Sequence, residues 1–141
     1  DMRGASPLHL AAARRGGADA VAELLRLRAD LNAADQDRRT PLMLAASAAA
    51  ARELLRARAD AAAKDAGGSG ALHHAASSNR TAVAAELLAI GGSALLWRNG
   101  ASETPLDLAA HAGHRGFMEV LLASVRLDDG PETAGADGED L

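Results

Sequence analysis

Apolar residues form short clusters with helical spacing along most of the chain. The first cluster holds Leu8 and Leu10, and the next holds Val21, Leu24 and Leu25. Spacings of three and four residues predict two short amphipathic helices. Because two such helices cannot bury their apolar faces alone, the pattern favours helix pairs that stack on one another.

The first cluster recurs as a sequence motif. Ser-Pro-Leu-His-Leu-Ala-Ala at residues 6–12 returns in three further forms: Thr-Pro-Leu-Met-Leu-Ala-Ala at 40–46, Gly-Ala-Leu-His-His-Ala-Ala at 70–76 and Thr-Pro-Leu-Asp-Leu-Ala-Ala at 104–110. Pro7 and Pro41 are 34 residues apart, as are Ala71 and Pro105, whereas Pro41 and Ala71 are 30 apart. A period in this range indicates a stacked repeat array.

Each copy also carries a trailing Leu-Leu pair followed by an Ala-Asp-like turn, as in Leu24-Leu25 with Ala29-Asp30 and Leu54-Leu55 with Ala59-Asp60. The combined pattern resembles the ankyrin repeat over roughly residues 1–126. The resemblance implies an all-α solenoid of stacked helix-turn-helix units joined by short hairpin loops. It divides the chain into repeat 1 (1–34), repeat 2 (35–64, shortened), repeat 3 (65–98), repeat 4 (99–126) and an acidic tail (127–141).

The copies depart from the family pattern in the middle of the array. Only seven residues separate the Ala-Ala and Leu-Leu pairs of repeat 2, against eleven in repeat 1. Repeat 2 could therefore keep a helix-turn-helix or become one helix. Gly70 replaces a capping residue, and Arg28, Arg38 and Arg58 replace family glycines at turns expected to need positive φ, at roughly 1 kcal/mol each. We expect the middle of the array to be its least stable part.

Composition narrows the classes of function. The hydrophobic content of 48% is mostly Ala and Leu, with one Phe, one Trp and no Tyr or Cys. Small side chains suit closely stacked helices, and scarce aromatics argue against a module that stacks nucleic-acid bases. The absence of Cys excludes disulfides and thiol nucleophiles. Neither a membrane span nor a signal peptide is evident.

Charge is weak and uneven along the chain. The net charge is −4, and residues 127–141 carry six acidic residues and no basic ones. We expect this Gly-rich acidic tail to be disordered. The charge balance argues against direct nucleic-acid binding. Because Asp1 lies inside the motif, we expect the chain to be a piece of a longer protein.

The resemblance also implies a partner-binding face, formed by the hairpin tips and the exposed side of the first helices. The motif assigns to this face Arg3, Arg14, Gln36, Asp37, Arg39, Ser69, Ser77, Glu103 and His111. By this assignment Arg3, Arg14 and Arg39 would form a basic stripe. The stripe is a candidate binding site, because Arg is favoured at interfaces. Trp97 precedes the fourth hairpin and either serves as an interface residue or folds back over Leu95 and Leu96.

Asn32 is a candidate modification site. It follows Leu24, Asp30 and Leu31 in a pattern that resembles the asparagine hydroxylated in many ankyrin domains. The alternative is a structural Asn that forms hydrogen bonds between repeats.

No catalytic, cofactor or metal motif accompanies the repeats. The Gly67–Gly70 segment lacks the Lys-Ser/Thr ending of a phosphate loop and predicts a hairpin turn. His111 and His114 lack a third ligand nearby in sequence. We expect neither enzymatic activity, nor a cofactor, nor a bound metal.

The resemblance implies a non-catalytic module that binds another protein as an adaptor, scaffold or inhibitor in the cytoplasm, the nucleus or both. We expect a monomer when isolated, without direct binding to nucleic acid, membranes or a small-molecule substrate. Three alternatives stay open. Residues 70–79 and 103–110 are similar to later repeats of the Notch intracellular ankyrin domain, which would imply assembly of a transcription complex. The shortened repeat 2 is similar to that of small cyclin-dependent kinase inhibitors, and a structural spacer within a scaffold is the third.

Overall fold

The computed structural model describes residues 3–90 and 96–124. Its helices are α1 Pro7–Ala13, α2 Ala18–Arg26, α3 Pro41–Leu44, α4 Ala48–Arg56, α5 Ala71–Ser77, α6 Thr81–Ala89 and α7 Pro105–Ala112. Residues 115–124 form a further helix, α8. These described ranges contain no β-strand. The expectation of a disordered tail at 127–141 concerns residues outside them.

The helices stack in two rows. The inner helices α1, α3, α5 and α7 contact one another in chain order, and the outer helices α2, α4 and α6 do the same. This arrangement confirms the predicted all-α solenoid. Each inner helix begins next to a hairpin tip and ends at the turn that leads to its outer helix. A binding surface can therefore form along the edge where the inner helices begin or along the edge where they end.

Small side chains make up much of the core. Ala12, Ala50, Ala76 and Ala109 are fully buried, and Phe117 on α8 is the largest buried side chain. Alanine at these contacts allows neighbouring helices to approach closely, because it adds only one methyl group. The low aromatic content is therefore compatible with one continuous core.

Three inner helices begin with the predicted cap. Ser6, Thr40 and Thr104 each accept a hydrogen bond from the third backbone N–H of the helix, and a proline follows each of them. The proline lacks an N–H at a position where none is needed. Gly70 starts α5 without a side-chain cap, as the sequence predicts.

Repeat 2 keeps two helices, so the continuous-helix alternative is wrong. Its inner helix α3 has four residues, and α4 starts at Ala48 after a three-residue break. Ser47 is the N-cap of α4, because its side chain accepts a hydrogen bond from the Ala50 N–H. That cap favours a new helix over continuation of the old one.

The arginines that replace family glycines do adopt positive φ. The angle is 67° at Arg28, 64° at Arg38 and 75° at Arg58, which confirms the prediction. Asn79 and Ser102 also have positive φ, a feature that the sequence analysis missed. Left-handed backbone is costly for residues with a Cβ. Strain is thus distributed over the turns of every repeat.

Candidate protein-interaction surface

Each fully described hairpin tip is organised by one Asp or Asn side chain. Asp35 Oδ1 accepts hydrogen bonds from the N–H groups of Asp37, at 2.9 Å, and Arg39, at 2.8 Å. Asp65 Oδ1 does the same for Gly67 and Ser69. The carboxylate thereby supplies the hydrogen-bond acceptor that these backbone N–H groups lack within the turn. Each tip is fixed by its own first residue.

The fourth tip follows the same plan with an amide. Asn99 Oδ1 accepts from the N–H groups of Ala101 and Glu103. The sequence analysis missed these Asp and Asn residues. Their signal was present, because Asp35, Asp65 and Asn99 each stand five positions before the N-cap residue of an inner helix.

Single backbone hydrogen bonds join neighbouring tips. They run from Gln36 N–H to Arg3 C=O at 3.1 Å, from Ala66 N–H to Asp37 C=O at 2.9 Å, and from Gly100 N–H to Gly67 C=O at 2.7 Å. We call this series of linked hairpins the tip ladder. A Cβ on Gly100 would lie 2.7 Å from the Gly67 oxygen, so glycine is required there. The ladder places the tips of all four repeats along one edge.

Buried histidines brace the ladder from beneath. His9 Nε2 lies 2.7 Å from the Arg39 C=O, and His73 Nε2 lies 2.8 Å from the Glu103 C=O. The Nδ1 atoms accept from the N–H groups of Ser6 and Gly70. These partners require the neutral tautomer with the proton on Nε2. Burial lowers the pKa of His73 and so favours that neutral form.

Arg39, a predicted binding residue, is engaged within its own tip. Its Nε donates to Asp35 Oδ2 at 2.8 Å, and its Nη2 lies 3.7 Å from Asp37 Oδ2. Burial acts to raise the pKa of Asp35, but hydrogen bonds from Arg39 and from the Asp37 N–H outweigh it, and the pKa is lowered. Arg39 therefore shapes the tip and exposes only part of its guanidinium.

The other two arginines of the predicted stripe have different surroundings. Arg3 is exposed in the first tip, where its carbonyl belongs to the ladder. Arg14 lies at the far end of α1 and lines a shallow groove with Leu10 and Leu24. The structure thus places Arg3 and Arg39 at the tips and Arg14 at the end of α1 that points away from the tips.

Polar contacts connect the predicted residues of the later repeats. Asn99 Nδ2 lies 3.3 Å from both Ser69 Oγ and Glu103 Oε1, and His111 Nδ1 lies 3.7 Å from Glu103 Oε2. Ser77 is exposed at the end of α5. Ser69, Glu103 and His111 therefore share one polar region near the tips. Ser77 lies at the other end of its inner helix, away from the tips.

Trp97 packs against the start of α5. Two of its ring carbons lie 3.8 and 3.9 Å from the position of a Cβ on Gly70, and Lys64 Nζ lies 5.8 Å from the ring centroid. Leu96 is 78% exposed, so the Trp97 ring does not cover it; Leu95 lies outside the described residues. The indole is half-buried, with Lys64 at cation–π distance.

Asn32 makes a bond between repeats. Its Oδ1 accepts from the Asp60 N–H at 2.9 Å, while its own N–H donates to Asp30 Oδ1. This is the structural role that the sequence offered as an alternative. The side chain is exposed, and its hydroxylation remains a prediction.

Within residues 3–90 and 96–124, no three His, Cys, Asp or Glu side chains are placed to hold a metal ion. His114 Nδ1 instead donates to the Ala76 C=O at 2.9 Å. None of the described helices is both long and apolar enough to span a bilayer.

Comparison with known families agrees with the stacked geometry. A family model described as ankyrin repeats (3 copies) matches residues 1–65 and 46–130. The chain belongs to the ankyrin repeat family. Ankyrin repeats are generally protein–protein interaction modules and are typically non-catalytic. No curated protein matches the chain.

Proposed function

We propose that this ankyrin chain binds a partner protein through its tip ladder and the exposed sides of the inner helices, as an adaptor, scaffold or inhibitor. The observation that carries the proposal is the ladder itself. Three inter-repeat hydrogen bonds and three Asx-centred turns hold exposed residues in fixed positions. A preorganised surface loses less conformational entropy when it binds.

The two halves of the tip ladder suit different partner chemistry. Arg3, Gln36 and Asp37 give the first half a mixed polar character, and all three are exposed. The tips of repeats 3 and 4 expose small residues at positions 66, 67, 100 and 101. A partner with polar groups opposite the first tips and bulkier side chains opposite the later ones fits this surface. We assign the partner to the class of proteins found in the cytoplasm or nucleus.

The experiment compares two charge-reversal variants in an affinity capture from cell lysate read by quantitative mass spectrometry. Arg3→Glu with Asp37→Arg reverses both charges on the tips, and Arg26→Glu with Glu23→Arg reverses both charges on α2. Arg26 and Glu23 form an exposed pair at 3.0 Å on the outer row. Both variants keep the parent's net charge, so a nonspecific electrostatic effect cancels.

A partner that the α2 variant retains and the tip variant loses supports recognition through the tips. Equal retention by both folded variants contradicts it. Circular dichroism verifies folding before capture. Arg39 is left unchanged, because a glutamate there would face the buried Asp35 carboxylate and destabilise the tip.

A kinase inhibitor is the second candidate, favoured by one observation. The inner helix of repeat 2 has only four residues, and a shortened helix at this place is what the chain shares with small cyclin-dependent kinase inhibitors. An inhibition assay with purified cyclin-dependent kinases tests this candidate. Dose-dependent inhibition that the tip variant loses supports this candidate. Full kinase activity at micromolar concentrations of the chain rejects it.

A further inference from the structure

The shortened repeat 2 leaves a cleft at the ends of the inner helices that point away from the tips. Helix α3 has four residues where α1 and α5 have seven. Three missing residues shorten the helix by about 4.5 Å. The resulting space, of about 520 Å³, opens between repeats 1 and 3. We call it the repeat-2 cleft.

The described lining of the repeat-2 cleft is polar and contains no carboxylate. Its polar side chains are Arg15, Ser47, Ser78, Asn79, Arg80 and Thr81. The remaining described lining residues are alanines and Val83. Two guanidiniums and several hydroxyl and amide groups therefore surround a space that holds no acidic side chain from the described part of the chain.

Arg80 is the key residue of the cleft. It is half-buried, and its Nη1 donates to the Ala45 C=O, at the end of the short helix, over 3.2 Å. In repeat 4 the equivalent His114 makes the same kind of bond to Ala76. The longer Arg80 reaches across the space that the missing turn leaves. A guanidinium has five N–H donors, so most of them stay available.

The first turn of α6 adds positive potential to the same wall. Arg80, Thr81 and Ala82 form this wall, and α6 has neither a side-chain cap nor an acidic residue in its first turn. The first N–H groups of a helix lack intrahelical acceptors and favour anions. The outer helix α4, in contrast, is capped by Ser47.

We propose that the repeat-2 cleft binds a phosphate group carried by a partner peptide, with Arg15 and Arg80 as its charged ligands. Two guanidiniums that line one cleft match the charge of a phosphate dianion, and each can donate two hydrogen bonds to its oxygens. The volume lies within the range of small-molecule sites, which leaves room for residues that flank a phosphoserine. The cleft and the tip ladder lie at opposite ends of the inner helices, so either site can fail alone.

Isothermal titration calorimetry and NMR chemical-shift changes of the ¹⁵N-labelled amides test the proposal. Both are measured at low ionic strength with four probes. They are a five-residue Gly-Ala-phosphoserine-Ala-Gly peptide, its unphosphorylated form, inorganic phosphate and AMP. We expect the phosphopeptide to bind at least about tenfold tighter than inorganic phosphate, because flanking residues add contacts. Shifts should concentrate at residues 13–15, 45–47 and 78–83. The unphosphorylated peptide should not bind.

Arg15→Gln and Arg80→Gln each should weaken phosphopeptide binding about tenfold, as expected for one charge-assisted hydrogen bond. Arg26→Gln, on the outer row, is the matched control and should bind like the parent. Arg15 is exposed, so its replacement keeps the fold even if that of Arg80 does not. Absent shifts in the cleft, or equal binding by Arg15→Gln and the parent, overturn the proposal. Tighter binding of AMP than of the phosphopeptide overturns the peptide as its source.

Discussion

At the scale of single residues, some turns have strained backbone, whereas the buried polar side-chain groups of the described residues form their hydrogen bonds. Asp35 and Asn99 complete the hydrogen bonding of their tips, and the buried side-chain polar atoms of the described residues all have partners. Arg58, in contrast, has a φ of 75°. Buried unsatisfied groups cost more than an exposed strained turn. The chain therefore accepts strain at its surface while it satisfies its interior.

Arg58→Gly should stabilise the chain. Glycine adopts positive φ without a Cβ clash, but it loses more backbone entropy on folding, so the net gain is about 0.5–1 kcal/mol. Urea unfolding followed by circular dichroism measures the difference. Arg56→Gly, two residues earlier and at the last residue of α4, should instead cost roughly 0.5–1 kcal/mol. Equal effects at the two positions would show that the turn strain is negligible.

Stability should fall as the pH decreases below about 6.5, because burial lowers the folded-state pKa of His73. Above that pH the imidazole is neutral in both states. Below it the unfolded chain takes up the proton first, and stability decreases until the pH passes the folded pKa.

His73→Met, which copies Met43 of repeat 2, should reduce this pH dependence. At pH 7.5 it should also cost roughly 1–3 kcal/mol, because the Glu103 carbonyl loses its buried donor. Urea unfolding at pH 7.5 and 5.5 measures both effects. His111→Ala, at an exposed site, should retain the parent's decrease. An unchanged pH slope in His73→Met would rule out His73 as the titrating group.

At the level of elements, the interface between repeats 2 and 3 differs from the others. Met43 occupies the place of His9 and His73, so no imidazole crosses this interface. Arg52 on α4 pairs with Glu86 on α6 at 2.7 Å, and Arg80 bonds to Ala45. Exposed ion pairs contribute little, so these contacts only partly compensate.

Met43→His should strengthen this interface. By analogy with His9 and His73, its Nε2–H would donate to the Ser69 carbonyl, for a gain of about 0.5–1.5 kcal/mol. Urea unfolding midpoints give the measurement. Met43→Leu conserves the volume without a donor and should give no gain. A histidine variant less stable than the leucine variant would contradict the account of this interface.

Much of the element plan could be predicted from the sequence. The Ser6, Thr40 and Thr104 caps follow from local rules. The positive φ of the three arginines follows from their places in the ankyrin motif, where the family has glycine. The fate of repeat 2 did not follow, because length alone allows either a break or one helix, and the Ser47 cap decides between them. The engagement of Arg39 by Asp35 depends on the folded turn, which a motif alignment does not specify.

At the scale of the whole molecule, the residues that the structure describes form a linear stack with two distinct edges. Its stability is approximately a sum of repeat and interface terms, and the short α3 interrupts the inner row at one point. The tip ladder lies along one edge and the repeat-2 cleft along the other. Function at either edge depends on the same stack, yet substitutions can address each edge separately.

The central claim is that partners are recognised through the tip ladder. Amide hydrogen exchange of the chain, with and without a captured partner, tests it most directly. We predict slower exchange on binding in peptides that cover residues 35–40, 65–70 and 99–104, with little change in α2, α4 and α6. Protection confined to the outer helices, with unchanged exchange at the tips, would contradict the claim.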